Sequence, residues 1–196
     1  MKHIKHKVIG ISGISGSGKS TLAKALALRL NATLIAWDEY DDISISPTDY
    51  VSWHEAGCPE GYAAWKYPQL AKVLQNLKSG KPIASILNGI RLDPTPWIIF
   101  DAPLGRQHVE TGQFIDFHVH IDIPLDIALG RRLLRDFTKE ANAGLILEDI
   151  KYYLEESRPL FTDSCGENAE LVIDGQMLIE DQLKLVLRSL LEPSTM

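Results

Sequence analysis

The stretch that decides the fold is Gly13-Ile14-Ser15-Gly16-Ser17-Gly18-Lys19-Ser20. It matches the phosphate-binding loop pattern, in which a Gly and four further residues precede Gly-Lys-Ser or Gly-Lys-Thr. Glycines let backbone N–H groups turn toward an anion, because glycine reaches positive φ at little steric cost. The pattern predicts Lys19 on the β- and γ-phosphates of ATP and the Ser20 hydroxyl on Mg²⁺. The residues expected to bind ATP in this segment are Gly13, Ser15, Gly16, Ser17, Gly18, Lys19, Ser20 and Thr21.

The segments on either side of the loop favour this interpretation over an ordinary Gly/Ser turn. Val8-Ile9-Gly10-Ile11 is a short apolar run of the kind found in strands. After the loop, leucines recur every four residues at Leu22, Leu26 and Leu30, as on one face of a helix. The loop therefore joins a predicted strand to a helix N-terminus, where the helix dipole also favours phosphate.

Length and composition indicate a globular chain of one domain, or of one domain with a small lid. The chain has 196 residues, of which 45% are hydrophobic and 23% charged. Its formal net charge of −6 argues against a nucleic-acid surface, which needs a basic stripe. No apolar run approaches membrane-spanning length, so we expect no membrane partner. Cys58 and Cys165 form no C-x-x-C pair, which makes a reducing cytoplasm the simplest setting; self-association into a homo-oligomer is left open.

Further along the chain, strand-like and helix-like segments alternate. This order predicts an α/β fold of the P-loop NTPase type, with a parallel sheet covered by helices on both faces and a small helical lid. The predicted strands after the first are residues 33–36, 97–100, 117–123 and 171–173. The predicted helices after the first are residues 63–78, a helix opened by Pro124, and residues 147–157 and 178–191.

Three groups suited to phosphoryl transfer directly follow predicted strands: the loop, Asp38 and Asp101. Ligands bind beyond the carboxyl ends of parallel strands, so we expect these groups at one edge of the sheet. Phosphoryl transfer needs a phosphate cradle, a Mg²⁺ site and a group that receives the acceptor's proton. Asp101 can hold Mg²⁺, or alternatively cap a turn. Asp38 can accept a hydroxyl proton, or alternatively be a solvated acid like Asp41 and Asp42.

The helix after Pro124 carries a cluster of arginines. Arg131 and Arg135 are four residues apart on one helix face, with Arg132 close by. Such a fork can bind phosphate oxygens bidentately. The alternative is a surface helix in which Arg132 pairs with Asp136 at i+4. Phosphate binding and the pair with Asp136 are compatible, since different arginines can serve the two roles.

These residues together resemble the uridine kinase and phosphoribulokinase group of P-loop kinases. Asp38-Glu39-Tyr40 is similar to the group's Asp-x-Phe-Tyr segment, whose Asp is the catalytic base. Glu60 stands where the group has an acidic residue that holds the ribose hydroxyls, and Asp101 where it has a Glu serving Mg²⁺. Residues 126–136 are similar to the group's lid helix, and residues 158–161 to its Lys/Arg-Pro-x-Phe segment.

The chain departs from the group's pattern in three places. Lys139, Glu140 and Ala141 stand where an Arg-Gly follows the lid helix. The Tyr-Asp…His segment that recognises the pyrimidine is not recognisable in residues 85–91. Glu60 replaces an Asp, which lengthens the acidic side chain by one methylene. The resemblance therefore implies that the kinase machinery is kept and that recognition of the base is changed.

We therefore predict an ATP- and Mg²⁺-dependent kinase that phosphorylates a small hydroxyl-bearing molecule, with uridine or cytidine as the first candidate. Alternatives are a kinase of the nicotinamide riboside or pantothenate type, a nucleotide-binding regulator or slow NTPase, and a binding module. Residues 1–196 are predicted to form one kinase domain, with a lid near 127–142 and a substrate-binding excursion near 38–66. The catalytic residues are predicted to be Asp38, Lys19, Arg131 and Arg135, and Arg132 is predicted to join the loop in binding ATP. The substrate is predicted to contact Asp38, Tyr40 and Glu60. The metal ion is predicted to bind Ser20 and Asp101.

Overall fold

The computed structural model describes residues 5–47, 50–137, 142–158 and 166–191. The segments 139–141 and 159–161 and Cys165, which entered the sequence predictions, lie outside these ranges. Among the described residues, no helix has both the length and the apolar character needed to cross a membrane.

Five parallel strands form the central sheet. They are β1 (Lys7–Ser12), β2 (Thr33–Ala36), β5 (Trp97–Asp101), β6 (Phe117–Asp122) and β7 (Leu171–Asp174). Their order across the sheet is β2-β5-β1-β6-β7, and every neighbouring pair is parallel. A short antiparallel pair, β3 (Ile83–Ala84) and β4 (Arg91–Leu92), stands apart from it. The parallel α/β fold expected from the alternating segments is confirmed.

Seven α-helices accompany the strands in the described parts of the chain. Their bounds are α1 (Lys19–Leu30), α2 (Tyr50–Glu55), α3 (Pro68–Lys78), α4 (Val109–Gly112), α5 (Leu125–Asp136), α6 (Ala143–Tyr152) and α7 (Ile179–Leu191). A single π-turn, Tyr153–Ser157, follows α6. Short 3-10 helices occupy Asp38–Ile43, Gly61–Ala64 and Gly105–Gln107.

Successive side chains of a strand point to opposite faces, and this alternation builds two cores. Ile9 and Ile11 of β1 pack on one face with α1 and α7, where Leu22, Leu26 and Val186 are buried. On the other face, buried residues of β1 and β5 pack with the apolar side of α3. The sheet is therefore covered on both faces, which fixes the positions of its strand ends.

Two predicted helices have different starting points in the structure. The helix predicted from residue 63 begins at Pro68, because a 3-10 turn and an extended Trp65 intervene. Proline suits a first helical position, where its missing N–H is not needed. The helix predicted from residue 147 begins at Ala143, where the Asn142 side chain accepts a bond from the Gly144 N–H.

Candidate active site

The phosphate-binding loop leaves β1 and enters α1 in a conformation that requires glycine. Gly18, directly before α1, has φ +102° and makes no side-chain cap for the helix. A Cβ on Gly16, which has φ +90°, would stand 2.1 Å from the backbone oxygen of Ala128 in α5. The loop can therefore lie against α5 only because Gly16 lacks a side chain, while a Cβ on Gly18 would meet nothing and glycine is required there for its positive φ. The uncapped N-terminus of α1 leaves N–H groups that can bind an anion.

Two polar side chains of the loop are buried, and one of them lacks the partner that burial normally demands. Ser17 is fully buried, and its Oγ has no hydrogen-bond partner within the described ranges. Lys19 is only 9% exposed, although it carries a charge. Buried polar groups are costly unless they are paired, so this cradle suits a bound anion.

Asp101 closes β5 at the centre of the carboxyl edge. It pairs in register with Ile11 on one side and Ala36 on the other. It is 6% exposed, and its Oδ1 has no partner among the described residues. Burial raises the pKa of this carboxyl, while the Lys19 charge and the Ser20 hydroxyl act to lower it. A buried carboxylate oxygen beside a serine hydroxyl is a suitable ligand pair for Mg²⁺.

Asp38 begins the 3-10 helix that follows β2. Its position is set by the N–H of Trp37, which donates to the backbone oxygen of Asp101 at 3.1 Å. Asp38 is exposed, and its charge acts on both Asp101 and Arg135. The structure therefore places Asp38 at the same edge as the loop and Asp101, as expected from the strand ends.

The other two residues predicted for the substrate lie in different surroundings. Tyr40 is 2% exposed and packs in the core, so it anchors the 3-10 helix that carries Asp38. Tyr67 donates from its hydroxyl to Asp41 at 2.6 Å and fixes the same helix from the side. Glu60 is exposed in a turn, with φ +64°.

A cavity of about 600 Å³ opens beside the loop. This volume falls in the range of ligand pockets, which is about 300–1,000 Å³. Arg131 and Arg135 of α5 line it together with the loop. Arg131 donates to the backbone oxygen of Gly175 at 2.9 Å, and Arg135 bonds Asp136 through two nitrogens. Two of the three predicted arginines thus stand at the cavity.

Arg132 does not line this cavity. Its guanidinium bonds Asp149 of α6, lies 4.0 Å from Asp136, and stands 5.3 Å from the centre of the Tyr152 ring. The i+4 pair with Asp136, the structural alternative weighed from the sequence, is therefore present. Arg132 therefore joins α5 to α6, and its predicted contact with ATP stays a prediction.

Ser12 contacts His118 and His120 of β6, the strand beside β1; Ser12 and His118 are buried, and His120 is half-buried. The Ser12 Oγ lies 2.7 Å from His118 Nε2 and 2.9 Å from His120 Nδ1. Burial, with a smaller contribution from Arg106, lowers the pKa of His118 to about 4. In the described residues, no group of three His, Cys, Asp or Glu side chains could hold a metal ion. The cluster ties β6 to the strand that carries the loop.

Sequence reasoning missed the cavity residues that precede and enter α7. Gly175, Met177, Ile179 and Gln182 line it, and so does Lys24 of α1. One signal was available: Gln182 interrupts an apolar helical stripe that includes Ile179, Leu183 and Val186. A buried polar residue in such a stripe indicates a specific partner.

The fold has solved counterparts among sugar kinases, although no family model matches the chain. A putative fructose transport system kinase from Silicibacter sp. TM1040 gives a TM-score of 0.56 at 15% identity, covering 88% of this chain and 91% of that one. A gluconokinase from Sinorhizobium meliloti gives 0.51 at 16% identity, covering 95% and 92%. At these identities the likeness concerns the fold alone.

The relatives found by sequence indicate the family as well as the fold. A uridine kinase of Borrelia duttonii is 32% identical in an alignment 182 positions long, which covers 85% of this chain and 85% of that protein. A uridine kinase of Yersinia enterocolitica is 30% identical in an alignment 175 positions long, which covers 79% of this chain and 78% of that protein. Both matches cover more than three quarters of each chain. The chain belongs to the uridine kinase family of small-molecule kinases.

Proposed function

We propose that the protein transfers a phosphoryl group from ATP to a hydroxyl of a small molecule, with Mg²⁺. The observation that supports this most is the convergence of the loop, Asp38 and Asp101 at the ends of three adjacent parallel strands. Phosphoryl transfer depends mainly on positioning and charge neutralisation, and this edge offers groups for both. The loop would hold the β- and γ-phosphates through Lys19 and its backbone N–H groups.

Ser20 and Asp101 would hold Mg²⁺, which neutralises charge on the phosphates when bound. The fit is supported by the unpartnered, buried Oδ1 of Asp101 beside a serine hydroxyl. Because burial raises the pKa of Asp101, a divalent cation there would also keep the carboxyl ionised.

Asp38 would act as general base, orienting the acceptor hydroxyl and taking its proton as bonding to the phosphoryl develops. Its exposure leaves it accessible to an acceptor, while Tyr40 and Tyr67 fix the helix that carries it. Glu60 would bind further hydroxyls of the acceptor from its exposed turn.

The helix α5 would be part of a lid, within residues 127–142 of a single kinase domain, that closes over ATP and excludes water. We expect Arg131→Ala and Arg135→Ala each to lower turnover by about tenfold to a hundredfold. Hydrogen bonds from a charged group contribute about 1.5–3 kcal/mol, which corresponds to that range. Steady-state kinetics should show the loss in kcat more than in the KM for ATP.

The control is Arg29→Ala, which removes an exposed arginine at the far end of α1. It should leave turnover unchanged. Wild-type kcat in both Arg131→Ala and Arg135→Ala would show that α5 has only a structural role.

We expect the protein to show no strong preference for uridine as its phosphate acceptor. The loop between β3 and β4 uses its polar groups internally: the Ser85 N–H donates to Ile90 O, and the Ile90 N–H to Asn88 Oδ1. Ile86 and Ile90 are exposed there. Strong discrimination between substrates needs polar partners that a wrong substrate leaves unpaired, and this loop offers few. Competition assays should therefore show no strong preference for uridine over other acceptors; efficient uridine-selective phosphorylation would contradict this.

The test of the proposed function is acceptor-dependent ADP release over a panel of nucleosides, sugars and vitamins, including nicotinamide riboside and pantothenate. At least one acceptor should raise ADP release well above the rate without acceptor. ADP release that no acceptor changes would instead support a slow NTPase or a nucleotide-binding regulator.

A further inference from the structure

Gln182 presents an unused hydrogen-bond acceptor at the wall of the cavity. The residue is 4% exposed and lines the cavity beside the loop. Its Nε2 donates to the backbone oxygen of Met177 at 3.1 Å. No donor to its Oε1 is found among the described residues, and this oxygen is not one of the atoms sealed inside the protein. A buried amide with a free carbonyl end at a cavity wall is suited to a ligand that donates a hydrogen bond.

The bond to Met177 also fixes which end of the amide faces the ligand. A backbone oxygen can only accept, so the NH₂ group of Gln182 must point toward it. Turning the amide over would bring two oxygens together and lose this bond. Gln182 therefore acts as an acceptor of fixed direction.

The cavity residues outside the loop suit the nucleoside part of a bound nucleotide. A triphosphate held by the loop leaves its base to the remaining lining, which includes Met177 and Ile179. These apolar side chains can pack against the faces of a flat ring. Gln182 then supplies a polar contact for the ring's edge.

We propose that the Oε1 of Gln182 accepts a hydrogen bond from the exocyclic amino group of the base of the bound nucleoside triphosphate, and so selects adenine over a 6-oxo purine. The inference rests on the proposed function only in requiring a nucleoside triphosphate on the loop. A 6-oxo group would place an oxygen against the Gln182 oxygen, and the bond to Met177 opposes the flip that would relieve it. A 6-oxo purine should therefore bind more weakly than adenine, because it leaves the Gln182 oxygen unpaired or repelled.

The experiment is calorimetric titration of the wild-type protein with the Mg²⁺ complexes of ATP, inosine triphosphate and purine riboside triphosphate. These three nucleotides share the triphosphate and ribose and differ at position 6 of the base, where the 6-oxo purine also carries a proton on N1. We expect inosine triphosphate to bind about tenfold or more weaker than ATP, with purine riboside triphosphate in between. Equal affinities for ATP and inosine triphosphate would overturn the inference while leaving the phosphate site intact. No binding of any of the three would overturn the proposed function as well.

A variant separates Gln182 from other sources of preference. Gln182→Met keeps the length of the side chain and removes the amide, so the ratio of ATP to inosine triphosphate affinity should fall to about one. The matched control is Gln176→Met, at an exposed glutamine between β7 and α7 that does not line the cavity, which should keep the wild-type ratio. An unchanged ratio in a folded Gln182→Met protein would overturn the inference. If that variant does not fold, the wild-type comparison decides.

Discussion

Replacement of Lys19 by alanine is expected to lower the affinity for ATP by about tenfold to a hundredfold and to reduce turnover by about a thousandfold or more. Lys19 is nearly buried in the loop, and its charge acts on Asp101. Its ammonium would neutralise charge on the β- and γ-phosphates, most strongly as the phosphoryl group transfers. Calorimetry gives the loss in binding, and product formation with a confirmed acceptor gives the loss in turnover.

Two further variants make this test specific. Lys19→Met keeps most of the aliphatic chain and should behave like the alanine variant if the charge is responsible. Lys24→Ala removes an exposed lysine that lines the same cavity, and it should have a much smaller effect. Unchanged nucleotide binding in a folded Lys19→Ala protein would be decisive against the phosphate assignment.

Replacement of Asp38 by asparagine is expected to lower turnover by about a hundredfold to ten-thousandfold, the usual contribution of a general base. The amide keeps the shape of the side chain and removes its ability to take a proton. Affinity for ATP should change little, because Asp38 lies outside the loop and does not line the cavity. Rates measured at saturating ATP and acceptor give the chemical effect alone.

Asp41→Asn and Asp42→Asn are internal controls on the same 3-10 helix. The amide oxygen introduced by Asp41→Asn can still accept the bond from Tyr67, so both proteins should stay near the wild-type rate. If Asp41→Asn is inactive while Asp38→Asn is not, the assignment of the base is in the wrong register. If none of the three variants slows transfer to a confirmed acceptor, this segment contributes no base.

The central part of the fold could be predicted because its signals are local. The apolar runs of β1, β2 and β5 and the Gly-rich loop each occupy a few consecutive residues, and parallel strands place their carboxyl ends together. The positions of Asp38 and Asp101 followed from that rule alone. The family resemblance added roles for these residues, which the geometry by itself does not assign.

Other features depend on contacts that the sequence does not show. The strands β3 and β4 have two residues each and no periodicity to detect. Arg132 lies within one turn of Arg131 and Arg135, but its direction is set by Asp149, which is 17 residues away. The apolar stripe of α7 marks Gln182 as an unusual polar residue, but its position at the cavity depends on the packing of α7 against α1.

The most direct test of the assignment as a small-molecule kinase is the mass balance of a single reaction with an acceptor from the panel. Phosphorylated acceptor, ADP and inorganic phosphate are quantified together, in wild-type protein and in Asp38→Asn. In the wild type, phosphorylated acceptor should match ADP mole for mole, with little inorganic phosphate, and in Asp38→Asn its formation should fall by about a hundredfold or more. ADP matched by inorganic phosphate for every acceptor, with no phosphorylated product, would contradict the assignment.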